Sequence, residues 1–324
     1  MAELSEFSLI KQYFDKLTVE RDDVELGIGD DCALLQCPAD HVLAVSIDTL
    51  VESIHFFADV SPESLGHKSL AVGLSDLAAM GAKPAWFTLA LTLPEVNNSW
   101  LQGFSQGLAK LAEQHHIQLV GGDTTRGPLT ISIQVHGFVK AEQALRRSGA
   151  SLGDLIYVTG TLGDAGAALQ QRLTQWGDDS LTAEDKAYFL QRLEQPSPRN
   201  SIGQTLLGLA SSAIDISDGL VADLGHILKK SHVGARLDLS KLPLSTAMEK
   251  VARQDAEKLA LKSGDDYELC FTVPARHESE IEQLLQGQCT RIGMITDDNG
   301  LFYINDSDDL IDLSEIGTGY DHFK

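Results

Sequence analysis

Aspartates that stand beside glycines or follow apolar segments are the residues of this chain whose type and spacing could do chemistry. They recur along the whole sequence: Gly29-Asp30-Asp31, Ser46-Ile47-Asp48, Ser75-Asp76, Gly122-Asp123, Asp215-Ile216-Ser217-Asp218 and Gly264-Asp265-Asp266. Glycine lets the backbone approach a ligand closely, and carboxylate oxygens are the ligands that Mg²⁺ prefers. Any single Asp could equally serve a turn or cap a helix, as Asp218 could before Leu220. The repetition favours an acidic site that binds several magnesium ions.

The overall charge supports this interpretation. The chain carries 25 Lys and Arg against 47 Asp and Glu, a formal net charge of −22. Such a surface repels nucleic acids, and no basic cluster offsets it. It also repels ATP, so a nucleotide could bind only with cations between its phosphates and the carboxylates. The sequence contains neither a Walker A motif nor a protein-kinase glycine loop.

Length and composition set the class of protein. At 324 residues, of which 43% are hydrophobic, the chain is expected to form about two domains of ~150 residues each. No apolar run reaches the ~18 residues of a membrane span, and the acidic start lacks the pattern of a signal peptide. We therefore expect a cytoplasmic protein that contacts no membrane. The four cysteines fit neither a zinc site nor a disulfide framework.

Hydrophobic periodicity predicts the elements that must position these acids. The first domain is α+β and covers residues 1–140, residues 141–149 form a connector, and an α/β domain covers 150–324. Helices are predicted over 6–17, 62–80, 100–116, 199–210, 220–231 and 245–261, and another from Asp164. Strands are predicted over 42–47, 86–93, 129–139, 155–158, 235–239, 267–273 and 291–295.

Taken in order, the motifs resemble those of bacterial thiamine-monophosphate kinases. They are Gly-Asp-Asp-Cys-Ala, Ser-Asp-Leu-Ala-Ala-Met-Gly-Ala, Gly-Gly-Asp-Thr-Thr, Asp-Ile-Ser-Asp-Gly-Leu and Gly-Asp-Asp-Tyr-Glu-Leu. That family shares a superfamily with aminoimidazole ribonucleotide synthetase and selenophosphate synthetase. The resemblance implies a two-domain α+β and α/β synthetase-like fold, in which the N-terminal domain forms a dimeric β-barrel flanked by helices and the C-terminal domain is α/β. It also implies ATP-dependent, Mg²⁺-assisted, in-line phosphorylation of thiamine monophosphate, the last step of thiamine diphosphate biosynthesis, by a homodimer.

The resemblance further implies roles for individual residues. The implied metal ligands are Asp30, Ser46, Ile47 (through its backbone), Asp48, Asp76, Asp123, Asp215 and Asp218. The implied ATP contacts are Gly122, Asp123, Arg147 and Ser217, and the implied substrate contacts are His55, Glu268 and Tyr320. No catalytic base is expected, because the attacking phosphate oxygen is already anionic at neutral pH. Two departures from the family pattern are Cys32, where alanine is usual, and Gly73, where asparagine is frequent.

Some alternatives remain open at the level of sequence. Glu268 could accept a hydrogen bond from the aminopyrimidine or balance the charge of the thiazolium ring. Aminoimidazole ribonucleotide synthetase is the nearest enzymatic rival, although the Gly-Asp-Asp-Tyr-Glu-Leu run and the terminal Gly-Tyr argue against it. A binding protein that senses thiamine phosphates or metal-bound nucleotide is a rival of another class, and consumption of ATP would separate the two.

Overall fold

The structure, a computed structural model, describes residues 6–15, 17, 19–177, 180–304 and 310–313. The chain divides into two compact units. The first comprises Met1–Leu77 and Ala82–Glu142, and the second comprises Ala78–Gly81 and Gln143–Lys324. No helix in the described ranges is long and apolar enough to cross a bilayer.

The first unit is built on a mixed sheet. Its elements are α1 (Glu6–Tyr13), β1 (Val24–Leu26), β2 (Leu34–Leu35), β3 (His41–Val51), α2 (Pro62–Ala79), β4 (Lys83–Leu93), α3 (Asn98–His115), β5 (Gln118–Arg126) and β6 (Thr130–Lys140). Among the described residues the main sheet has the order β3-β6-β4-β5, with β4 and β5 parallel and the other pairs antiparallel. Strands β1 and β2 form a separate antiparallel pair.

Alternation along β6 explains how α2 is held over this sheet. Ile131, Ile133 and Val135 are buried, as their period-2 spacing predicts for a strand with one covered face. Gly73 lets α2 approach β6 closely, because a Cβ there would lie 3.0 Å from a methyl group of Val135. The helix therefore presents Asp76 near the backbone of the sheet.

The second unit contains a larger sheet. Its elements are β7 (Leu155–Thr159), α4 (Asp164–Thr174), α5 (Ala183–Glu194), α6 (Asn200–Thr205), β8 (Ser212–Asp215), α7 (Leu220–Ser231), β9 (Gly234–Leu237), α8 (Arg253–Lys262), β10 (Leu269–Val273), α9 (Glu278–Leu285), β11 (Cys289–Thr296), β12 (Leu301–Ile304) and β13 (Leu310–Asp312). The strand order in the described ranges is β13-β12-β9-β11-β7-β10-β8. Strands β7, β8 and β10 are buried along their full length. Apolar residues predominate in β7 and β10, whereas β8 also buries Ser212 and Asp215.

Two aspartates that were expected at strand ends lie inside strands. Asp48 was expected at the end of a strand, but β3 continues to Val51 and places it within the strand. Asp123 was expected at a strand end, directly after the apolar pair Leu119-Val120, but Gly121, Gly122 and Asp123 lie inside β5. Pairing with a neighbouring strand outweighs the low strand propensity of glycine and aspartate here. The helix predicted over 199–210 is confined to α6, and that over 245–261 begins only at Arg253.

Candidate functional site

A pair of carboxylates on β3 and α2 forms the centre of the acidic site in the first unit. Ser46 donates a short hydrogen bond from its hydroxyl to Asp76. Asp48 lies two residues along the same face of β3, and its Oδ2 atom is buried with no hydrogen-bond partner in the described part of the chain. Burial and the neighbouring Asp76 carboxylate raise the pKa of Asp48 to about 7. Two acids held this close form a site suited to a cation.

A cavity of about 650 Å³ in the same unit collects a second group of predicted residues. Its lining includes Asp30, Gly122 and Asp123. Gly122 has φ 153°, and a Cβ there would lie 1.9 Å from the carbonyl oxygen of Leu89, so only glycine fits. Lys11 is the one basic side chain among the lining residues. The cavity therefore offers exposed carboxylates and a close backbone, as an ion-bridged polyphosphate would require.

Ile47 lies within β3, between Ser46 and Asp48, and His55 follows four residues after the end of that strand. The backbone N–H of Val51 donates to Nδ1 of His55 at 3.0 Å. A neutral ring then carries its proton on Nε2, which makes His55 a hydrogen-bond donor rather than a base. Ile47 points its side chain away from Asp48 and is 63% exposed. Only its backbone could face the carboxylates, as the predicted role requires.

In the second unit, Asp215 is the last residue of β8, and the loop that follows carries Ser217 and Asp218. Asp215 is buried, whereas Ser217 and Asp218 are half-buried. The N–H groups of Ser217, Asp218 and Gly219 all donate to Oδ2 of Asp223, at 3.0, 3.0 and 3.2 Å. Burial raises the pKa of Asp223 to about 6, against these hydrogen bonds. Asp223 was not predicted, yet it fixes the shape of the loop.

Glu268 lies behind this loop and is fully buried. Its carboxylate accepts two hydrogen bonds of 2.6 Å from the Arg199 guanidinium. It also accepts one of 2.9 Å from Arg192 and one of 2.6 Å from the Thr159 hydroxyl. These four bonds occupy the lone pairs that a substrate would use. Asp265 of the same segment is half-buried. No motif or periodicity pointed to Arg192 or Arg199, which lie on either side of Pro196-Ser197-Pro198.

Arg147 and Tyr320 complete the predicted set. The Arg147 side chain is exposed, and its carbonyl oxygen accepts a hydrogen bond from Ser231 at 3.4 Å. Tyr320 lies outside the described residues. In the described ranges no three His, Cys, Asp or Glu side chains lie close enough together to hold a metal ion by themselves. Ser46, Asp48 and Asp76 are brought together in the first unit, and Asp215, Ser217 and Asp218 in the second.

Comparison with known proteins gives consistent results. Residues 29–139 match the AIR synthase related protein N-terminal domain, and residues 152–304 match the corresponding C-terminal domain. The chain is 52% identical to the thiamine-monophosphate kinase of Escherichia coli K12 over 98% of both sequences. The crystal structure of thiamine-monophosphate kinase from Stenotrophomonas maltophilia K279a has 47% identity and a TM-score of 0.84, covering 93% of this chain and 96% of that one. A structure of AaThiL complexed with AMPPCP and TMP has 30% identity and a TM-score of 0.77, covering 100% and 98%.

Proposed function

The chain belongs to the thiamine-monophosphate kinases of the AIR synthase related family, and from this premise we propose how its residues carry out the reaction. It transfers the γ-phosphoryl group of ATP to thiamine monophosphate and forms thiamine diphosphate and ADP. AaThiL, with 30% identity over the whole chain, is complexed with AMPPCP, an ATP analogue, and TMP. Because the reaction needs ATP, we place it in the cytoplasm.

The Asp48–Asp76 pair is the observation in this chain that supports the proposal. Among the described residues, the buried Oδ2 atom of Asp48 has no hydrogen-bond partner, and the pKa of its carboxyl group is raised. A divalent cation would supply a ligand contact for Oδ2 and offset the repulsion between the two carboxylates. We propose that Ser46, Asp48, Asp76 and the backbone of Ile47 hold Mg²⁺, with Asp30 and Asp123 at the cavity and Asp215 and Asp218 in the second unit as further ligands. When bound, Mg²⁺ neutralises phosphate charge and orients the γ-phosphoryl group.

The chain's own residues bind and orient the two anions. We propose that Gly122, Asp123, Arg147 and Ser217 contact ATP, the exposed Arg147 as a fixed cationic fork. The acceptor oxygen on thiamine monophosphate is already anionic, so no side chain has to remove a proton from it. His55 donates from Nε2 to the substrate, and Tyr320 provides an aromatic face for its rings. Catalysis then rests on proximity and charge neutralisation.

We also propose a homodimer that pairs through β3. This strand is at the edge of its sheet in the described part of the chain, and Leu43, Val45 and Ile47 are 44%, 51% and 63% exposed. An apolar edge strand of eleven residues is a template for pairing with a second copy. Val45→Lys should give a monomer by light scattering. Leu173→Lys, at a leucine on α4 that is 63% exposed, is the control for a surface apolar-to-lysine change and should leave the mass unchanged.

The activity is tested by incubating the protein with ATP, Mg²⁺ and thiamine monophosphate and measuring thiamine diphosphate by chromatography. We expect equimolar ADP and thiamine diphosphate, and neither product when EDTA is added. Binding of both ligands without turnover would support the sensor alternative. Binding of ATP with neither binding nor turnover of thiamine monophosphate would support the synthetase alternative.

A further inference from the structure

A buried ion cluster in the second unit has no role in the reaction as described so far. It contains Arg192, Arg199, Asp164, Asp266 and Glu268, and the three acids are 0%, 1% and 0% exposed. Arg192 and Arg199 both bind Glu268, and Arg192 also reaches the carbonyl oxygen of Asp266 at 3.4 Å. Asp266 in turn accepts from the N–H of Gly163 at 2.8 Å. Burying charged groups is costly, and truncating one partner leaves the other uncompensated.

The segment that carries these acids has an unfavourable backbone. Asp265 and Tyr267 have φ values of 65° and 50°, in the left-handed region that side chains other than glycine rarely adopt. Gly264 approaches the preceding loop so closely that a Cβ would lie 2.2 Å from the carbonyl oxygen of Ser217. Such a conformation persists only when its surroundings fix it, and it is concentrated at functional sites.

In residues 264–268 the backbone and the side chains contact different parts of the second unit. Its backbone bonds to the loop after β8: Asp265 N–H donates to Ser217, Tyr267 N–H donates to Ile216, and Ile216 N–H donates to Glu268, at 2.8 to 2.9 Å. The side chains of Asp266 and Glu268 point to the cluster instead. The cluster is thus connected through one strained segment to the loop that follows Asp215 and carries Ser217 and Asp218.

We propose that Arg192, Arg199 and Glu268 are positioning residues, which hold residues 264–268 against the loop of residues 216–219 after β8 and so keep that loop shaped for metal-bound nucleotide. This inference rests on the proposed function, in which the loop binds ATP and Mg²⁺. It assigns Glu268 an indirect role in place of direct contact with the thiamine rings. Asp223 holds the same loop from α7 through three N–H groups, so the loop is fixed on two sides.

The test compares Glu268→Gln and Arg199→Lys with Arg199→Met. Glu278→Gln, which breaks an ion pair of 2.9 Å with Arg291 in the same unit, is the matched control. For each folded variant we would measure the KM for ATP, the Mg²⁺ concentration for half-activation, the KM for thiamine monophosphate, and amide hydrogen exchange over residues 213–219. Wild-type turnover is measured first, so that a failure of the proposed function is recognised separately.

We expect Glu268→Gln to raise the KM for ATP and the Mg²⁺ concentration for half-activation about tenfold each, which corresponds to ~1.4 kcal/mol. The KM for thiamine monophosphate should change less than threefold, and exchange over 213–219 should accelerate. Arg199→Lys should restore part of what Arg199→Met loses, and the control should match the wild type. A tenfold rise confined to the KM for thiamine monophosphate would overturn the proposal in favour of direct substrate contact. Lower thermal stability with unchanged nucleotide kinetics in the Glu268→Gln and Arg199→Lys variants would reduce the cluster to packing and also overturn it.

Discussion

Replacing Asp48 with Asn should separate stability from activity in this enzyme. The Asp48 carboxyl group has its Oδ2 atom buried without a partner and lies beside Asp76, which together raise its pKa from 3.8 to about 7. Between these two pH values the folded state binds more protons than the unfolded state, so stability falls as pH rises. An amide at position 48 carries no charge, so the Asp48→Asn variant should not lose stability as pH rises through this range.

The size of the effect follows from the pKa. A rise from 3.8 to about 7 corresponds to a cost of about 4 kcal/mol above pH 7, at ~1.4 kcal/mol per pH unit. At pH 5 the cost is less than half as large by the same arithmetic. With roughly 2–4 °C of melting temperature per kcal/mol, Asp48→Asn should melt roughly 8 °C or more above the wild type at pH 8. Its advantage at pH 5 should be less than half as large.

The assay is thermal unfolding at pH 5 and pH 8, in EDTA and in Mg²⁺, alongside steady-state turnover. Mg²⁺ should raise the melting temperature of the wild type by binding the folded state, and should do so much less for Asp48→Asn. Turnover of the variant should fall by orders of magnitude. Asp40→Asn is the matched control, because Asp40 is an exposed turn residue with φ 64°, which asparagine also accepts. Equal stabilisation at both pH values would refute the electrostatic reasoning, and near-normal turnover at saturating Mg²⁺ would refute the metal site.

Three further predictions address other parts of the chain. His55→Asn should raise the KM for thiamine monophosphate while kcat changes little, because the ring donates from Nε2; a lost basic limb of the pH–rate profile would instead restore a general-base role. Deleting residues 317–324 should raise the same KM about tenfold and leave the ATP KM unchanged, and Tyr320→Phe should be mild; an unaltered KM in the truncated chain would remove Tyr320 from the substrate site. Hydrogen bonds from Lys250 and Thr182 lower the pKa of Asp185 to about 2, which stabilises the folded state above pH 3.8 and less as pH falls towards 2. Asp185→Asn should therefore melt below the wild type at pH 7, with a difference that narrows below pH 3.8, and a constant difference would contradict this.

Local patterns in the sequence were enough for much of the fold. Hydrophobic periodicity predicted the strand over 129–139, observed as β6, and the helix over 62–80, observed as α2. Both patterns depend only on neighbours along the chain. The same reasoning failed for β5, where glycines and an aspartate form a strand only because β4 pairs with them. The acids could be identified from their glycine neighbours and from the family resemblance. Arg192 and Arg199 could not, since an arginine becomes a buried partner only once residues 69 to 76 positions away fold against it.

The edge position of β3 has a consequence for the life of the protein in the cell. A newly made chain exposes the N–H and C=O groups on the free side of this strand, as the structure describes it, together with the apolar side chains of Val42, Leu43, Val45 and Ile47. Such an edge invites pairing with any other extended chain, and hence aggregation. In the proposed dimer the correct copy covers it, and the rate of that encounter rises with the concentration of the chain. We therefore expect low expression to lengthen the time that a chain spends as a monomer with β3 uncovered. The yield of folded dimer should then fall more steeply than the rate of synthesis when the gene is expressed weakly.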